Sequence, residues 1–76
     1  MKVIFTNDYR IGNYEFDAKR IDFSHNDYYK LELLNGNETY LGKDNYSFDK
    51  ILDVNSWIRN DGNEIVDYEA LDDLNK

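Results

Sequence analysis

The chain has 76 residues, with 16 Asp or Glu against nine Lys or Arg and a net charge of −7 at pH 7. That length holds one compact unit, so residues 1–76 are read as a single small domain, and the absence of cysteine excludes disulfides and thiolate metal sites. The acidic surplus disfavours direct nucleic-acid binding, which relies on Lys and Arg displacing phosphate counterions, while Ile, Leu, Val and Phe at 20 positions with seven Tyr and one Trp suffice for a folded core.

At the N-terminus, Val3, Ile4 and Phe5 form the longest apolar run of Met1–Asp8. This is short of a signal peptide or a membrane span. The expectation is a cytoplasmic protein with no membrane contact, and the sequons at Asn37 and Asn45 are then coincidental. Gly12-Asn13 predicts a two-residue hairpin loop that sets Arg10 opposite Glu15 and Tyr9 opposite Phe16. Tyr14, Phe16 and Ala18 alternate with Glu15, Asp17 and Lys19; apolar parity then moves to Ile21 and Phe23, which implies a bulge near Lys19-Arg20. Ser24-His25-Asn26-Asp27 reads as a turn, and Asn35-Gly36 between Tyr29–Leu34 and Glu38–Leu41 as a hairpin loop.

Ser47–Asn55 fits a helix with Ser47 as N-cap and Phe48, Ile51, Leu52 and Asn55 at helical spacing, although whether 47–59 is helix or strand throughout stays open. Asp61-Gly62 predicts a third hairpin, with Arg59 across from Glu64, Ile58 from Ile65 and Trp57 from Val66. Residues 69–74 either make one more helical turn or fray. The fold class is therefore α+β, an antiparallel meander of about four to six strands with one short helix.

Chemistry is sparse. His25 is the lone histidine and reads as an exposed turn residue. Carboxylates that could pair for acid/base work need a cleft that so short a chain rarely encloses. Aligning Gly62 with the glycine of a calcium loop puts Trp57 and Arg59 where oxygen ligands belong. No two glycines lie close enough for a phosphate loop. The expectation is a protein that is not an enzyme and has no cofactor or metal. Trp57 reads as core; Tyr68, between Asp67 and Glu69, suits core and partner anchor equally.

What remains is charge. Residues 44–76 hold nine acids and three bases, and so −6 of the −7. Asp61, Glu64, Asp67, Tyr68, Glu69, Asp72 and Asp73 form the candidate partner-binding site. Alternate strand residues about 6.6 Å apart can present carboxylates at spacings comparable to phosphates.

A tiny, cysteine-free, acidic chain rich in Asn, Asp and Tyr resembles the small phage-encoded inhibitors of bacterial defence of the anti-CRISPR and anti-restriction type. Asn60-Asp61-Gly62-Asn63-Glu64 with Ile65-Val66 is similar to a hairpin of a DNA-mimicking Cas9 inhibitor, over seven residues and with no functional residue to carry over. The resemblance implies an inhibitor acting in the host bacterial cytoplasm as a monomer or small homo-oligomer. Its partner is then a basic nucleic-acid-binding protein such as a Cas or restriction subunit. The competing expectation is a small adaptor that binds a protein through an aromatic patch or an edge strand.

Overall fold

A computed structural model describes residues 1–10, 12–53 and 57–70. Seven antiparallel strands run in chain order: β1 (Lys2–Asn7), β2 (Asn13–Asp22), β3 (Tyr28–Leu33), β4 (Glu38–Gly42), β5 (Tyr46–Ile51), β6 (Ile58–Asn60) and β7 (Glu64–Asp67). Residues 68–70 make a helical turn.

The antiparallel meander is as expected, but the helix over 47–55 is not: residues 46–51 are strand β5, paired with β1, and Val54–Ser56 lie outside the described residues. The cause is a register irregularity. Ile4 faces Lys50 whereas Phe5 faces Phe48, so Asp49 is an extra residue, and Phe48 and Ile51 both pack on the core although three positions apart. A bulged strand thereby imitates helical spacing. The fold is more sheet than α+β, and has seven strands where four to six were expected.

β2 organises the molecule. Its first half pairs with β1, and its second half with β3 on one edge and β7 on the other. The expected bulge is present, the β2–β3 register shifting between Ala18 and Arg20. Because β3 occupies the opposite edge, β7 and β1 share one edge of β2. They run in the same direction, β7 ending at Asp67 where the chain begins at Met1. Outside them lie β6 and β5, also end to end. The seven strands thus fill five rows.

β4 and β5 stand in opposite outer rows, yet only Lys43–Asn45 join them. Four Cα steps reach about 14 Å, less than the roughly 19 Å width of five flat rows. The sheet therefore curls into a half-closed barrel. Inside it, Phe5 meets Phe16, Tyr29 and Phe48 at 6.0, 5.1 and 5.4 Å between ring centres, and Phe23 meets Tyr29 and Phe48 at 5.7 and 5.5 Å. Val3, Ala18, Ile21, Leu31, Leu41 and Ile65 complete the core.

Turn chemistry sets the registers. Leu33 N–H donates to Asn37 O at 2.8 Å, enclosing Leu34, Asn35 and Gly36, and Gly36 takes φ 91°, the left-handed conformation that closes a three-residue loop. The Gly12-Asn13 loop is corrected. Asn7 Oδ1 accepts from the amides of Tyr9 and Arg10, Asn7 N–H donates to Gly12 O, and Phe5 pairs with Tyr14 and Val3 with Phe16. The third hairpin exists with a shifted register, Asn60 facing Ile65, Arg59 facing Val66 and Ile58 facing Asp67. Its loop is Gly62-Asn63, with Gly62 at φ 91° in first place, a type II′ pattern.

Candidate partner-binding site

The shifted third hairpin decides the fate of the expected acidic face. Asp61 is exposed in the turn, where Oδ1 accepts the amides of Asn63 and Glu64 at 3.1 Å each, and its other oxygen lies 3.8 Å from Arg59. Glu64 is half-buried and pairs with Arg59, diagonally across the hairpin, and with Arg20 Nε at 3.8 Å. The Arg59–Glu64 pair expected from sequence is therefore present, in a different register.

Asp67 is the main correction. Only 3% exposed, it points inward. Oδ2 accepts a hydrogen bond from the Met1 α-amine at 2.7 Å, and that amine also donates to Ala18 O at 2.8 Å. Oδ1 accepts the amides of Glu69 and Ala70 at 3.1 and 3.3 Å and so caps the helical turn. This carboxylate joins β7 to β1 and is not available to a partner. Glu69 is exposed; Asp72 and Asp73 lie outside the described residues.

Trp57 is also corrected. It is 76% exposed, not core. With the turn one residue later than expected, Val66 faces Arg59 and Trp57 falls opposite Tyr68, whose N–H donates to Trp57 O at 2.8 Å. The two rings meet edge to face at 6.5 Å, beyond the last paired residues of β6 and β7. Sequence reasoning passed over this pair because Gly62-Asn63 and Asp61-Gly62 are both acceptable two-residue loops, and only the former puts Trp57 past the sheet.

His25 stacks on Tyr28 at 4.4 Å and 18°, with Nε2 3.4 Å from Asp22 Oδ2, and Tyr28 meets Tyr40 at 5.3 Å. Lys43 fastens this loop, Nζ donating to the carbonyls of Phe23 and His25. Hydrogen bonds from the Ser24 side chain and amide hold the Asp22 carboxyl below its ordinary value, with smaller help from the charges of His25 and Lys30. Ser24 N–H donates to Asp22 Oδ1 at 2.8 Å. Tyr40 donates to Glu38 Oε2 at 2.8 Å, which raises the phenol pKa. Among the described residues, no three His, Asp or Glu side chains gather as a metal site, and no helix is long and apolar enough to cross a membrane.

Comparison of the chain with profiles of known families, with curated proteins and with solved structures found no match.

Proposed function

We propose that the protein is a non-enzymatic binding module that docks on a basic protein surface through Trp57 and Tyr68, with exposed carboxylates such as Glu69 beside them. The observation that carries this reading is the 76% exposure of the only tryptophan. A large apolar ring in water is unfavourable for an isolated domain, and Trp with Tyr supplies the residue types that dominate binding hot spots. The net charge of −7 selects a cationic partner. Cationic grooves are what nucleic-acid-binding proteins present, so obstruction of such a protein, as the resemblance to defence inhibitors implies, is the functional consequence we assign.

The test is a pull-down from bacterial lysate with the parent chain and with Trp57→Ala, alongside a melting curve of each. Trp57→Ala is expected to melt within about 1 kcal/mol of the parent, as an exposed side chain does, and to lose a partner that the parent captures. Capture of a Cas, restriction or other nucleic-acid-binding subunit with steep loss at high salt supports the reading. Retention of the same partner by Trp57→Ala, or capture of a metabolic enzyme, overturns it.

A further inference from the structure

β2 is the longest strand, and one of its edges is covered only halfway. From Ala18 to Asp22 it has β3 on that edge; from Asn13 to Asp17 β1 is the only described strand beside it, on the other edge. The direction of the backbone groups follows from the hydrogen bonds. Ala18 N–H donates to Met1 O at 2.9 Å, the Met1 amine donates to Ala18 O, and Asn7 N–H donates to Gly12 O. Antiparallel ladders alternate, so Tyr14 and Phe16 turn their amides and carbonyls toward β1, and Glu15 and Asp17 turn theirs away. Leu34 N–H takes Asp17 O at 3.0 Å as the chain leaves β3 for its turn. The Glu15 amide and carbonyl face outward with no described strand beside them.

Against this open edge lies a notch of about 420 Å³ lined by Glu15, Phe16, Asp17, Leu33, Leu34 and Asn35. Leu34 is exposed, and Phe16 and Leu33 are partly buried against the core. Glu15 and Asp17 are exposed and form no ion pair with any described residue.

We propose that this edge accepts an extended peptide segment of a partner protein, with the alternation basic, aliphatic, basic, as an added antiparallel strand. Main-chain bonds to Glu15 supply the pairing, as in other strand additions, while Leu34 keeps the place opposite Asp17. Glu15 and Asp17 project to one face of β2, where basic side chains of the guest meet them; Phe16 projects to the other, where an aliphatic side chain extends the core surface beside Leu33. Such a guest lies in line with β3, just as β7 lies in line with β1. The proposal rests on the reading of the chain as a protein-binding module, but it uses different strands from the Trp57 anchor.

The probe is an acetylated and amidated pentapeptide, Thr-Lys-Val-Lys-Thr, titrated into the isotope-labelled full chain and followed by amide NMR shifts. Binding is expected with Kd of about 1 mM, as suits a few main-chain bonds and two ion pairs. The saturable shifts should centre on residues 13–17 and 33–35. Glu15→Lys with Asp17→Lys should weaken binding at least about tenfold, and the exchanged peptide Thr-Val-Lys-Val-Thr should bind at least about tenfold less well than the first. Trp57→Ala should leave the titration unchanged, so failure of the aromatic anchor and failure of the edge are seen separately. Equal binding of the exchanged peptide, shifts centred elsewhere, or no saturable shift up to about 10 mM peptide overturns the proposal.

Discussion

Asp67→Asn tests the joint between the end of β7 and the start of β1. The side chain is 3% exposed, with one oxygen on the Met1 amine and the other on the amides of Glu69 and Ala70. Asparagine keeps an oxygen for the two capping amides and leaves the buried ammonium without its counter-charge. Removing one partner of a buried ion pair costs about 3–5 kcal/mol, and a capping oxygen is worth about 1 kcal/mol. The expected loss is therefore about 3 kcal/mol for Asp67→Asn and about 4–5 kcal/mol for Asp67→Ala. A chain of this length has about 4–11 kcal/mol in all, so the alanine variant stands at the edge of folding and the asparagine variant is measurable. Urea unfolding should be followed by far-UV circular dichroism, since Trp57 is solvent-exposed and reports poorly on the core. With an m-value of about 1 kcal/mol/M, Asp67→Asn lowers the midpoint by about 3 M. Acetylation of the Met1 amine should cost a similar amount, and the two changes together should cost less than their sum. A midpoint within about 0.5 M of the parent refutes the assignment of the pair as the contact that joins β7 to β1.

Phe5→Ala, which removes the ring shared by Phe16, Tyr29 and Phe48, should cost about 3–5 kcal/mol in the same assay; a loss below about 1.5 kcal/mol contradicts its central place. Asp22 is held below the ordinary carboxylate value by Ser24, so its stabilisation is fully present above about pH 4 and fades as pH falls through the lower, folded value. Asp22→Asn should accordingly flatten the acid limb of melting temperature against pH, and an acid limb identical to the parent's speaks against the hydrogen bonds from Ser24. Gly36→Ala meets nothing within 4 Å but forces alanine to φ 91°, at about 1–2 kcal/mol; unaltered urea stability shows that the loop adopts another conformation.

Much of the sheet was legible because β2 carries its binary pattern openly. Tyr14, Phe16 and Ala18 alternate, the parity change at Lys19 marks a bulge, and Asn35-Gly36 announces its loop. β5 was not legible, since the Asp49 bulge puts Phe48 and Ile51 on one side at a separation that also satisfies a helix. Asp67 counted as a surface acid because its partner is the chain's own amine, which no pattern of side chains reveals. Trp57 counted as core because a turn one residue earlier places it opposite Val66. Within one run of acids some are structural and others solvated: Glu64 pairs with Arg59, as its place across the hairpin suggested, and also with Arg20 on β2, whereas Asp61 and Glu69 are exposed.

The end-to-end arrangement of β7 and β1 also orders events during synthesis. β1 to β4 follow one another as local hairpins and can pair while the chain is still emerging. The contact between Met1 and Asp67, 66 positions apart, waits for residues 64–67. Until they arrive, the backbone of Arg20–Asp22 is an open strand edge, a template for pairing with a second nascent chain. Formation of the Gly62-Asn63 turn is then the step that shuts this window. A substitution that slows the turn without altering final stability should raise the aggregated fraction in cells while leaving the purified, folded protein unchanged.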